Sequence, residues 1–304
     1  MTGRVVGWHG SEHLLSKPDS KAGRLQRACL KLLREHERDG ALPTNGRFVF
    51  YELEQRGVIP KAYAKGRKRT PAQDISDALT VLRTRGLVPW DWLTDETCEL
   101  AEWNYADSVY EYVIEAAERA TINPWGDQLP PLIICEARAT KGPLEPTAGE
   151  YVCPITATGG QKHGFIVTDI VPLLKGNDRK VLTVCDCEVD GPADQIEGNT
   201  RRIIEQHTGR TFTAQTWSRV ALTPEQKARN PRLRRLAIDK VDNRNKPPKR
   251  YRAIECEAVG QVTLIRLLRA RLDVLLPEPL ARVQVREQRQ RNRLLAALKK
   301  LAHG

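Results

Sequence analysis

Two short apolar runs, each stopping at a carboxylate, constrain this chain more than any other feature. Leu132-Ile133-Ile134-Cys135 runs into Glu136, and Val181-Leu182-Thr183-Val184-Cys185 runs into Asp186-Cys187-Glu188. Apolar and β-branched runs with no polar alternation are strands buried on both faces, as in a parallel sheet with helices on either side. Between the two, residues 152–158 predict another strand, residues 159–164 a loop, and Phe165 to Leu174 an amphipathic helix. Right-handed crossovers keep such strands parallel, so Glu136 and Asp186 are expected at one carboxyl edge, where α/β folds place their ligands. Carboxylates gathered there repel one another unless a cation is present. Hard oxygen donors select Mg²⁺, with Mn²⁺ as the alternative, and Glu136, Asp186 and Glu188 are the expected ligands.

The 304 residues allow two domains with sizeable cores. No apolar run approaches the ~18 residues that cross a bilayer, and Met1-Thr2-Gly3-Arg4 opens no signal-peptide core, so a cytoplasmic protein without membrane association is expected. The seven cysteines include no Cys-x-x-Cys pair and mostly lie in apolar runs, which argues for small buried hydrophobes over a zinc site. A net charge of +11 calls for a polyanionic partner. The basic residues form no amphipathic anchor rich in Trp and Phe, so double-stranded DNA is preferred over a membrane surface.

The N-terminal third reads as helices. Ser20 caps a first helix with Leu25, Ala28, Cys29 and Leu32 on one face, ending near Gly40. A second runs from Arg47 to a stop at Gly57, with Arg47 and Tyr51 one turn apart on the same face. A basic loop follows, and Lys61, Lys65, Arg67, Lys68 and Arg69 are its candidate phosphate contacts. Thr70-Pro71-Ala72-Gln73 opens a third helix that closes at Gly86, and Leu87-Val88-Pro89-Trp90 reads as a short extended segment. Three helices, a basic loop and an extended segment make a winged helix. A further helix from Tyr105 to Ala116 ends at Asn123-Pro124-Trp125-Gly126. The expected division is a mostly α winged-helix DNA-binding domain over 1–122 and an α/β domain over 123–304, its parallel sheet flanked by helices and its C-terminal helices basic. Within the latter, residues 227–252 are crowded with Lys, Arg, Asn and Pro and read as a loop or a DNA-contacting arm.

Glu136 followed by Asp186-Cys187-Glu188-Val189-Asp190-Gly191 resembles the Toprim domain, which carries a Glu after one strand and an Asp-x-Asp-x-x-Gly after a later one. Here Glu188 stands in the second Asp place, Cys185 replaces a frequent Gly, and two residues are inserted before Gln195. An alternative register pairs Glu188 with Asp190, so Asp190 joins the candidate ligands. A winged helix bearing Arg47-x-x-Phe50-Tyr51 ahead of a Toprim-like domain is similar to the A subunit of topoisomerase VI and the related meiotic double-strand-break protein, over about residues 25–260. Gly57-Val58-Ile59-Pro60, Gly86-Leu87-Val88-Pro89-Trp90 and Trp217-x-Arg219-Val220-Ala221-Leu222-Thr223 look like bacterial members of that superfamily.

The resemblance implies that Tyr51 attacks a DNA phosphodiester while the acids hold Mg²⁺. It also implies a homodimer in which Tyr51 faces the partner's Glu136 and both strands are cut. A tyrosine with a pKa near ~10 needs its proton removed and the phosphorane charge neutralised, and Arg47 plus a bound metal suit the second task. Two other readings stand beside this one: a hydrolytic Toprim nuclease with a structural Tyr51, and a non-catalytic DNA-binding protein with a decayed site. No Walker-type phosphate loop is present, so ATP-driven strand passage would call for a separate ATPase subunit.

Overall fold

The computed structural model describes residues 14–64, 68–94, 105–159, 163–189, 195–242 and 249–301. The N-terminal part consists of α1 (Lys21–Arg38), α2 (Gly46–Gln55) and α3 (Pro71–Thr84). Each begins where a side chain satisfies the first free amides. The Ser20 hydroxyl accepts from Gly23, the Asn45 oxygen accepts from Arg47 and Phe48, and Thr70 with Gln73 completes a capping box. Their apolar faces meet in one core built from residues such as Leu32, Leu33, Leu53, Ile75 and Leu82. The segment expected to form a wing does not become a strand. Trp90–Trp92 is a 3₁₀ turn, and a single bridge joins Thr44 to Leu93.

The α/β class is as expected. β1 (Leu132–Cys135), β2 (Ile155–Ala157), β3 (Val181–Val184) and β5 (Trp217–Ala221) form a four-stranded parallel sheet in the order β2-β1-β3-β5. Side chains alternate between its faces. Ile133, Cys135, Leu182 and Val184 pack toward α5 (Arg138–Glu150) and α11 (Gln261–Leu275). Leu132, Ile134 and Val181 pack on the other side with Ile203 and Ile204 of α8 (Gln195–Thr208) and with the helical segment after β2. That segment is α6 (His163–Phe165), a π turn (Ile166–Ile170) and α7 (Val171–Leu174), close to the expected amphipathic helix.

The described residues of the basic stretch read as a loop or arm form regular elements instead. After α9 (Pro224–Arg229) and α10 (Pro231–Arg235), β6 (Ile238–Asp242) and β7 (Lys249–Ile254) pair antiparallel, and β4 (Cys187–Glu188) joins β7. This three-stranded sheet ties the molecule together. Cys187, Val189, Leu233, Leu236 and Ile254 belong to the same core as the N-terminal helices. α12 (Leu280–Leu301) lies along α4 (Val109–Arg119), and of its side chains only Val283 is buried among the described residues. No helix of the described residues is long and apolar enough to cross a membrane.

Candidate functional site

The in-register pairing of β1 with β3 sets Cys135 beside Val184, so the chain emerges from both strands at one edge. There the Asp186 amide donates to Glu136 Oε2 at 3.0 Å, and the Cys256 amide donates to Asp186 Oδ1 at 2.9 Å. One oxygen of each carboxylate is thus fixed by backbone. The second oxygen of each faces the Lys240 ammonium of β6, at 2.5 Å from Asp186 Oδ2 and 3.8 Å from Glu136 Oε1. Burial opposes the charge on Lys240, but the Asp186 and Glu136 carboxylates outweigh it and hold the ammonium above the usual lysine range.

The Lys240 ammonium here fills the place of a generic cation. Two carboxylate oxygens from neighbouring strand ends converging on one positive centre suit a divalent ion of the Mg²⁺ kind, which takes one or two carboxylates and completes its shell with water and phosphate. Glu188 is placed differently. Its Oε1 is buried without a hydrogen-bond partner among the described residues, while its backbone carbonyl accepts from Lys227 at 2.8 Å. No group of three His, Cys, Asp or Glu side chains set to hold a metal occurs among the described residues, so Glu188 is not gathered with the pair. Asp190 lies outside the described residues.

Further groups that sequence reasoning passed over hold the edge in place. Glu197 of α8 accepts from Trp217 Nε1 at 3.0 Å and from Arg219 Nε at 2.7 Å, and also from the Thr183 hydroxyl. Arg219 in turn donates to the Asp186 carbonyl at 3.1 Å. Glu255 and Glu257 flank the Cys256 amide, and Arg47 of α2 reaches both, with Nε at 3.0 Å from Glu257 Oε1. Burial pushes the Glu257 carboxyl above the usual range, to about 7, against the pull of Arg47. The Arg47 guanidinium is raised in its turn: Glu257, Glu255 and Asp186 outweigh its burial.

Tyr51 is 5% exposed and packs edge-on against Phe50 at a ring separation of 5.2 Å. It lines an open cleft of about 650 Å³ together with Arg47, Ser76, Arg83 and Glu255. The helix bearing Tyr51 and the turn that fixes Asp186 therefore meet within one chain. The basic loop is partly engaged elsewhere. Lys61 folds back to the Leu236 carbonyl, and its burial lowers its pKa. Arg69 pairs with Asp74 and Asp77, Lys68 is exposed, and Lys65 and Arg67 lie outside the described residues. Compared with models of known families, with curated proteins and with solved structures, the chain gives no match.

Proposed function

We propose that this chain binds double-stranded DNA and cleaves its phosphodiester backbone at the Glu136–Asp186 edge, in the manner of a topoisomerase VI A subunit. The observation that carries the reading is the pair of carboxylates, each with one oxygen fixed by a backbone amide and the other turned to a shared cation. Glu136 and Asp186 would hold Mg²⁺ or Mn²⁺, which when bound supplies Lewis-acid stabilisation of a phosphoryl oxygen. The helices α1–α3 act as the DNA-binding helical unit, in place of the expected winged helix, and the parallel sheet as a Toprim-like unit. Tyr51 Oη releases its proton to water and attacks phosphorus, the P–O3′ bond breaks, the departing 3′ oxygen takes up a proton from water in exchange, and a 5′-phosphotyrosyl link forms.

Arg47 serves this site through its grip on Glu255 and Glu257, which seats the Cys256 amide against Asp186. A homodimer places two such sites on opposite strands, and strand passage driven by ATP would require a separate ATPase subunit. The burial of Tyr51 favours a second reading, in which the same acids activate water and the tyrosine is part of the core. Denaturant-resistant protein–DNA adducts separate the two. Wild type should form adducts that Tyr51→Phe does not; cleavage that persists in Tyr51→Phe without adduct establishes the hydrolytic reading, and DNA binding without cleavage by either protein leaves a binding protein.

A further inference from the structure

Lys240 comes from a hairpin that the acid motifs do not predict, yet its ammonium sits where the second oxygens of Glu136 and Asp186 converge. Its side chain is 23% exposed, so most of it is covered by the acid edge and the sheet around it. On β6 its neighbours point the other way: Asp239 is 91% exposed and Val241 is exposed. The hairpin therefore delivers one cation to the acid edge and leaves its other face in water.

We propose that Lys240 is a built-in counter-ion that competes with the metal for the Glu136–Asp186 edge and, once displaced, becomes a phosphate-binding residue beside it. The inference rests on reading that pair as the metal site. Two cations cannot share two carboxylate oxygens at these distances without strong repulsion, so binding of a divalent ion requires the ammonium to withdraw. The displaced side chain keeps its charge and remains within a side-chain length of the acids. A DNA phosphodiester that reaches the metal is the anion available to it there. Without DNA, Lys240 holds the acids in a compensated, low-affinity state. With DNA, the phosphate draws the ammonium away and opens the edge to the ion, so the two ligands assist each other through one residue.

The test is Mn²⁺ binding to the full chain without DNA, by calorimetry and by the shift in Tm that Mn²⁺ produces. Lys240→Gln should bind Mn²⁺ roughly tenfold or more tightly than wild type, because the competing charge is gone. It should be less stable than wild type in chelator and show the larger Mn²⁺-induced rise in Tm. Lys240→Arg keeps the charge and should stay near wild type, which guards against a folding defect in the Gln variant. Equal Mn²⁺ affinity in wild type and Lys240→Gln overturns the competition while leaving the metal site standing. Mn²⁺ binding by none of the three proteins overturns both, as does binding that survives Glu136→Gln with Asp186→Asn.

Discussion

The side-chain amide of Asn45 donates to the carbonyl of Ala139 at 2.7 Å, at a point in α5 where a proline removes the helix's own donor. Pro143 has no N–H to offer the carbonyl four residues earlier, and Asn45 supplies the missing hydrogen bond. Its oxygen meanwhile caps α2 through Arg47 and Phe48 at 3.0 and 3.1 Å. One buried residue thus fastens the helix of Arg47 and Tyr51 to the helix that follows Glu136.

Replacing Asn45 tests that clasp. Asn45→Ala loses both the cap and the donor and should destabilise the protein by about 1–3 kcal/mol in urea unfolding. Asn45→Asp keeps a capping oxygen but faces the Ala139 carbonyl with a carboxylate, and should fall between wild type and Ala. A change under ~0.5 kcal/mol for Ala would show that the clasp carries little.

Glu257 gives stability a pH dependence. Its folded-state pKa is raised from 4.5 to about 7, chiefly by burial, so the folded state holds the proton more tightly than the unfolded chain. Stability tied to that proton is fully present below the unfolded value and is lost as pH rises through about 7. In chelator, Glu257→Gln should therefore gain stability relative to wild type as pH is raised across this interval. A gap that stays constant, or that closes in the opposite sense, would contradict the burial of the carboxyl as its cause.

The buried parts of the fold were the legible ones. β1 and β3 declare themselves because both faces are covered and no polar alternation interrupts them. α5 does not, since Pro143 and Pro146 argue against a helix and the compensating donor lies 94 residues away at Asn45. The hairpin of β6 and β7 was hidden by its charges: six of the eleven residues of Ile238–Asp242 and Lys249–Ile254 are Asp, Lys or Arg, and only part of one face meets the core. Of the site, the two strand-end acids were readable. Lys240, 54 residues beyond Asp186, and the Cys256 amide were not, because contacts between distant segments leave no local pattern.

The shared core predicts cooperative unfolding. Since Val189, Leu233 and Ile254 pack with Leu32, Ile75 and Leu82, the halves on either side of residue 123 should melt together in one calorimetric transition. An isolated 123–304 fragment should be unfolded or aggregated. Two separate transitions, or a folded fragment, would contradict the shared core.

DNA affinity should fall with salt, and the basic loop should contribute unequally. Each phosphate contact steepens log K against log salt by about 0.9. Neutralising Lys65, Arg67 and Lys68 together should flatten the slope by roughly two to three such increments. Lys61→Ala should leave the slope alone and lower stability, because Lys61 holds the Leu236 carbonyl. A slope change for Lys61 alone would reverse that assignment.

Cleavage of supercoiled plasmid DNA by wild type and Asp186→Asn, with Mg²⁺ or Mn²⁺ and with chelator, tests the central claim most directly. Asp186 accepts from Cys256 and faces the shared cation, so its loss should reduce cutting by about a hundredfold or more while DNA binding persists. Chelator should abolish cutting by wild type. Metal-dependent cleavage that is equal in the two proteins, or the absence of any cleavage by wild type, would contradict the account.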